Sequence, residues 1–139
     1  MIVLDTNVIS VLMDPEHLDM PIVDSWLETN AHQMIRVTSI SRAEIAFGIA
    51  IMPEGSKKRR LATLADQFFM PLARLSLPFG LKEAEAYGSI MASRRAHGHP
   101  MGSLDAQIAA IAKVAGAIVA TRDVSDFLDC GVPVVSPYQ

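Results

Sequence analysis

Four acids stand where short apolar runs end or helices begin: Asp5, Glu44, Asp105 and Asp123. Asp5 directly follows Ile2-Val3-Leu4, and Asp123 follows Ala117-Ile118-Val119-Ala120 by way of Thr121-Arg122. Asp105 opens a segment in which Leu104, Ile108, Ile111 and Ala115 recur at helical spacing. Three and four residues from it lie Met101, Gly102, Ile108 and Ala109, so its carboxylate shares an apolar, small-residue stripe. An acid in a helix's first turn gains about 0.3–1 kcal/mol from the macrodipole, which explains its place along the axis but not its face. Glu44 has the same character, with Ile40, Phe47, Gly48 and Ile51 on its face and no basic partner. Ser41 and Glu44 are at capping-box spacing, so a cap is the simpler reading of Glu44. The apolar stripe favours a carboxylate facing a cleft, with Gly48 leaving room one turn on at about 1 kcal/mol of helix propensity.

Gathered in one cleft, such acids need a counter-charge. Two carboxylates about 4 Å apart repel by roughly 4 kcal/mol at an effective dielectric near 20, more than a cap or a hydrogen bond returns. No lysine shares their stripes, so either some are protonated or a divalent cation sits among them. Oxygen ligands without histidine or cysteine favour Mg²⁺ or Mn²⁺ over zinc. One or two such ions held by carboxylates and waters are a recurring arrangement for attack of water on a phosphodiester.

The elements that must position these acids alternate. Ile2–Leu4 reads as a buried strand, and a helix follows with Thr6 or Asn7 as cap and Ile9, Leu12 and Met13 inward, ending at Asp14-Pro15. Pro21 suits the first turn of a second helix with Ile22, Val23, Trp26 and Leu27 on its apolar face. Met34–Val37 is the next strand, and a third helix runs from about Ser41 to Met52. Lys57-Lys58-Arg59-Arg60 opens a helix reaching about Phe69, its cations opposing the dipole, which suits a solvated face or contact with RNA or an acidic partner. Ala73, Leu75 and Leu77 alternate with polar residues as a third strand before Pro78. The helix from about Leu81 to Arg95 places Ala84, Tyr87, Gly88 and Met91 inward. Arg94 and Arg95 end it with the favourable dipole sign and, just before the loop to Asp105, are candidates for a phosphate contact. Lys113 lies near the end of the Asp105 helix, Gly116 breaks it, and Val134-Val135 is a last short strand. Alternating strands and helices imply an α/β fold with a parallel sheet covered on both faces, and ligands bind such sheets beyond the carboxyl ends of the strands. Asp5 and Asp123 belong at that edge, where Glu44 and Asp105 can join them from helix starts.

At 139 residues the chain reads as a single domain, residues 1–139, able to bury about two-thirds of its unfolded surface. Half the residues are apolar, which places it among globular proteins. A net charge of −3 argues against holding nucleic acid by bulk charge, though an acidic metal site reverses its sign when loaded. Cys130 is the only cysteine, which excludes an internal disulfide and a cysteine zinc cluster. His97-Gly98-His99 suits a polar turn better than a metal pair. The chain opens without a basic leader and holds no apolar run near the roughly 20 residues that span a bilayer, so the expectation is a cytoplasmic protein with no membrane contact.

The segments IVLDTNVIS, SRAEIAFGI, GSLDAQIAAIA and VATRDVSDF, in that order, resemble the PIN-domain ribonucleases, and within them the VapC-like and FitB-like toxins of toxin–antitoxin pairs. The likeness runs through the closing VPVVSPYQ. It implies a three-layer α/β/α sandwich around a short parallel sheet, a homodimer, and Mg²⁺- or Mn²⁺-dependent cleavage of RNA. Carried across residue by residue, Asp5, Glu44 and Asp105 match the family's first three acids. Asp123 falls at the fourth, a position often occupied by asparagine, with Asp126 as a nearby alternative. Thr6, Asn7 and Thr121 would orient the ligands. The resemblance also implies a small antitoxin that blocks the site and tethers the complex to operator DNA. Two other readings compete. One is a non-catalytic PIN-like module acting mainly as antitoxin partner in a DNA-bound regulatory complex; the presence of all four acids argues against a decayed site. The other is a small-molecule phosphohydrolase with an aspartyl nucleophile, which needs a second acid two residues after the first, where this chain has Asn7.

Overall fold

Every strand is short, and all five run parallel. A computed structural model describes residues 1–139. The order is β1 (Ile2–Leu4), α1 (Thr6–Met13), α2 (Met20–Thr29), β2 (Ile35–Thr38), α3 (Ser39–Ala50) and α4 (Ser56–Phe69). A 3-10 segment (Met70–Leu75) leads to β3 (Ser76–Leu77), α5 (Leu81–Ala96), α6 (Ser103–Ala115) and β4 (Ile118–Ala120), and a second 3-10 turn (Val124–Phe127) precedes β5 (Val134–Val135). The sheet order is β3-β2-β1-β4-β5. Succeeding elements therefore leave central β1 on one side toward β2 and on the other toward β4. That reversal opens a crevice beyond the carboxyl ends of β1 and β4, the position where α/β sheets take ligands.

Side-chain alternation along β1 divides the interior into two cores. Ile2 and Leu4 join Val37 and Ala120 against Val8, Ile9 and Val11 of α1, Val23 of α2, Ile45 of α3 and Phe69 of α4. Val3 and Val119 face the other way, onto Ile90 of α5 and the alanines of α6. Each fully buried branched side chain contributes about 1.5–3 kcal/mol. The α6 helix buries Ala106, Ile108, Ala109, Ala110, Ile111 and Ala112. Those small residues let it sit close between sheet and α5, and Gly116, at φ 64°, closes its C-terminus. Helices cover both faces, so the α/β/α sandwich is the observed architecture. No helix is long and apolar enough to cross a membrane.

Several local expectations are corrected. The cap of α1 is Asp5, whose side chain accepts the Thr6 N–H; Thr6 and Asn7 lie in the first helical turn. The cap of α3 is Thr38, accepting from Ser41 N, so Ser41 and Glu44 do not form a capping box. The third strand shrinks to Ser76–Leu77, because Met70–Leu75, with Pro71 in its first turn, forms a 3-10 segment instead. In α5, Tyr87 and Met91 do pack inward, but Ala84 and Gly88 are exposed. The buried face is displaced around the helix to include Ile90 and Arg94.

A candidate active site at the sheet's carboxyl edge

Asp5 is positioned by two elements at once. Its N–H continues the β1–β4 ladder by donating to Ala120 O at 2.9 Å, while its side chain caps α1. Carboxylate Oδ1 accepts Thr6 N at 2.7 Å, and Oδ2 accepts the Thr121 hydroxyl at 2.7 Å. Only 5% of the residue is exposed. Burial pushes its carboxyl above the ordinary range; the Thr121 and Thr6 bonds work against that shift, and Glu44 and Asp123 add to it as like charges.

Once Asp5 takes the cap, Thr6 and Asn7 turn sideways to the other acids. Thr6 Oγ1 lies 2.8 Å from Glu44 Oε1 and 2.9 Å from Ser41 Oγ. With one proton to give, Thr6 donates to the carboxylate and accepts from the buried Ser41. Asn7 Nδ2 donates to Thr121 Oγ1 and to Asp123 Oδ2, both at 3.2 Å, and its Oδ1 accepts Arg122 N at 3.1 Å. Thr121 is fully saturated: its proton goes to Asp5, and its oxygen also accepts Asp123 N at 3.0 Å. This network joins the ends of β1 and β4 and the start of α3.

Asp105 enters from the first turn of α6. It is half-buried and takes no protein hydrogen bond, unlike Asp5, Glu44 and Asp123. Desolvation first, then Asp5, Glu44, Asp126 and Asp123 as like charges, push its carboxyl up to about 6. No lysine or arginine is among the leading causes of that shift. Five acids thus share one field at the edge where β1 and β4 end. They do not close on a common point, however: no three histidine, cysteine or acidic side chains are spaced to enclose a metal ion. Thr6, Asn7 and Thr121 each tie one of these carboxylates to a neighbouring element. A donor set made of carboxylates without a cation of the chain's own suits a hard divalent ion, and Mg²⁺ needs only one or two direct carboxylates, keeping waters for the rest.

This topology agrees with what the chain is similar to. A family profile for the PIN domain matches residues 2–129. The chain belongs to the PIN domain family. Among full-length relatives, it is 36% identical to VapC ribonuclease Y4jK of Sinorhizobium fredii, over 100% of this chain and 99% of that protein. It is 35% identical to Toxin FitB of Neisseria gonorrhoeae, over 99% of each. Among solved structures, a complex described as FitAB bound to an IR36 DNA fragment contains a chain with TM-score 0.85 and 34% identity, the match covering 100% of this chain and 96% of that one.

Within this PIN domain, the two arginines ending α5 part company. Arg94 is 6% exposed; its Nε donates to His99 O at 2.7 Å and its Nη1 to Leu128 O. Committed to backbone carbonyls inside the fold, it is unavailable to RNA, which corrects the expectation for that residue. Arg95 is exposed. The histidine pair is a turn, with Gly98 at φ 75° and His97 Nδ1 2.7 Å from Ser93 O. In the basic run, Lys58 pairs with Glu54 and Arg60 with Asp14 and Glu16, while Lys57 and Arg59 form no ion pair. Sequence reasoning passed over Ser41 as part of the site, reading its hydroxyl as a cap. Thr38, three residues earlier and a better strand-end cap, was the available signal. It also passed over Arg122, whose contacts lie far away in the chain.

Proposed function

We propose that this PIN domain is the toxin of a toxin–antitoxin pair, an endoribonuclease that depends on Mg²⁺ or Mn²⁺. The observation that carries the proposal is the setting of Asp105: half-buried, unbonded, and raised to about 6 by desolvation first and then by four neighbouring acids, with no cation among those leading causes. Such a field is costly to the protein alone and useful to a bound divalent ion. The name of the VapC ribonuclease relative supports RNA as the polymer cut.

Asp5 and Asp105 are the residues that hold the ion, with Glu44 and Asp123 completing the ligand set directly or through water. Bound there, a divalent ion supplies Lewis-acid stabilisation of charge on phosphate oxygens and lowers the pKa of a coordinated water. The protein supplies the rest. Thr121 and the Thr6 N–H fix both Asp5 oxygens, Asn7 holds Asp123 to the same edge, and Thr6 aims Glu44. A carboxylate of Glu44 or Asp123 orients the attacking water and accepts its proton. Arg95, at the start of the loop leading to Asp105, is the remaining candidate for a backbone phosphate.

The partner in this reading is a small antitoxin, with operator DNA reached only through it, and the toxin acts as a homodimer. Support comes from the toxin name of FitB and the DNA-bound FitAB complex. It also comes from Phe47 and Ile51 of α3, 66% and 67% exposed on the helix that carries Glu44, where an apolar surface calls for a cover. Incubating purified protein with a mixed RNA pool in Mn²⁺, Mg²⁺ or EDTA, and sequencing the ends produced, tests the activity and names the substrate. Cleavage that survives EDTA, or that persists undiminished in Asp5→Asn, would remove the proposal.

A further inference from the structure

The family profile ends at residue 129, yet the segment beyond it reaches back to the acid edge twice. Its strand, β5, pairs with β4 through Val119↔Val134 and Ala120↔Val135, and Val135 O accepts Thr121 N at 3.0 Å. Three residues further on, the Tyr138 ring lies under the Arg122 guanidinium, 4.6 Å from ring centroid to the central carbon. The Tyr138 hydroxyl accepts Arg122 Nη2 at 2.8 Å, and the same nitrogen donates to Asp19 at the start of α2. Arg122 is consequently clamped between the chain's last residues and the α1–α2 turn. Its backbone N–H is the donor that holds Asn7 Oδ1, and Asn7 in turn holds Thr121 and Asp123.

We propose that residues 134–139 form a strap that positions the acid edge: Tyr138 fixes Arg122, Arg122 fixes Asn7, and Asn7 with Thr121 sets where Asp123 and Asp5 stand. The inference rests on the metal-site reading above. Arg122 and Tyr138 are positioning residues; neither touches the reacting atoms. Both faces of the guanidinium's work are needed. Its charge pairs with Asp19, and it lies over the Tyr138 ring while donating to the Tyr138 hydroxyl, a combination that an ammonium does not reproduce. The arrangement also explains how an arginine can stand between two residues of the acid network: its side chain is directed to Asp19 and Tyr138, and only its backbone N–H joins the network.

The test uses ¹⁵N-labelled full chain in metal-free buffer, as wild type, Tyr138→Phe, Tyr138→Ala and Arg122→Lys. Hydrogen exchange is read at the Arg122 amide and the Asn7 side-chain NH₂, with the Ile90 and Ile108 amides of the α5–α6 layer as reference. Tyr138→Ala should lower protection at Arg122 and Asn7 about tenfold and leave Ile90 and Ile108 unchanged. Tyr138→Phe, which keeps the ring, and Arg122→Lys, which keeps the charge, should fall between. Mn²⁺ affinity, measured without RNA, should weaken by about tenfold in Tyr138→Ala, the range seen when groups behind metal ligands are removed. Unchanged protection at Arg122 and Asn7 overturns the strap. So does an equal loss at Ile90 and Ile108, which would make Tyr138 a prop for the whole fold, and so does local loosening with Mn²⁺ affinity within twofold of wild type. Wild-type protein that binds Mn²⁺ but leaves RNA intact would instead end the ribonuclease reading and leave the strap standing.

Discussion

Asp5 and Asp14 are the two caps of the same helix, α1, and their electrostatic settings are opposite to what the helix dictates. The macrodipole favours an acid at the N-terminus, where Asp5 sits, and disfavours one at the C-terminus, where Asp14 sits, each by about 0.3–1 kcal/mol. Yet Asp14 has its carboxyl held below the ordinary range, chiefly by the Arg60 side-chain hydrogen bond and then by Glu16 N–H, with Arg60 Nη2 at 2.7 Å. Asp5 is raised, chiefly by burial. Neighbours outweigh the dipole in both cases. The comparison separates acids the chain neutralises itself, which tie α1 to α4, from acids that no lysine or arginine of the chain pairs with.

If that division is right, the two groups respond differently to the same substitution. The largest effect belongs to Asp5→Asn and Asp105→Asn, each of which should lower metal-dependent RNA cleavage by about a hundredfold or more while circular dichroism and oligomeric state stay those of wild type. Asp14→Asn should leave cleavage within about twofold of wild type. A comparable loss there would erase the distinction. Next in size is Thr121→Val, which strips Asp5 of a hydroxyl donor and should weaken divalent-ion affinity about tenfold, read by titrating Mn²⁺ against an unreactive RNA analogue.

Stability against pH sharpens the contrast further. Asp105 has its folded pKa raised from 3.8 to about 6, so the folded state binds more protons than the unfolded state between those values. Its contribution is therefore lost as pH rises from about 4 to about 6 and stays lost above. In EDTA, Asp105→Asn should gain stability over wild type across that window, reaching about 1 kcal/mol after allowing for solvent screening of a half-exposed group. Saturating Mn²⁺ should cancel or reverse the gain. Asp14 has the opposite sign: its folded pKa is depressed, so its contribution is present above the ordinary carboxylate range and fades as pH falls through it. The Asp14→Asn penalty should accordingly vanish in acid. The smallest effect concerns activity at limiting metal, which should rise as Asp105 loses its proton near pH 6 and shift to lower pH as Mn²⁺ is raised.

The acids were legible because they break a pattern. Asp105 lies on an apolar stripe whose Met101, Ile108 and Ala109 the fold buries, Glu44 lies on one whose Phe47 and Ile51 stay exposed, and Asp5 and Asp123 follow short apolar runs that form strands. Alternating periodicity likewise gave away the parallel sheet. Errors arose where one residue type serves two purposes. Asp5 was read only as a site acid although it is also the cap, so Thr6 and Asn7 were given a role that Asp5 already fills. Its place at a helix end, just before the loop to Asp105, makes Arg94 a candidate for a phosphate contact. The phase of α5 turns it inward instead, and alanine and glycine report phase weakly because they are tolerated on either face.

Residue types and spacing alone determined the alternation of strands and helices, the edge to which the acids go, and the lack of any cation on their stripes. Those follow from periodicity and charge, which are local properties of the chain. Only the tertiary structure decided that Asn7 reaches Asp123, that Thr6 reaches Glu44, and that Tyr138 grips Arg122. Each of those bonds joins residues from separate elements, and which hydroxyl or amide meets which carboxylate depends on strand order and helix rotation. Neither is written in any single segment, because both are set by how two cores pack against opposite faces of one sheet.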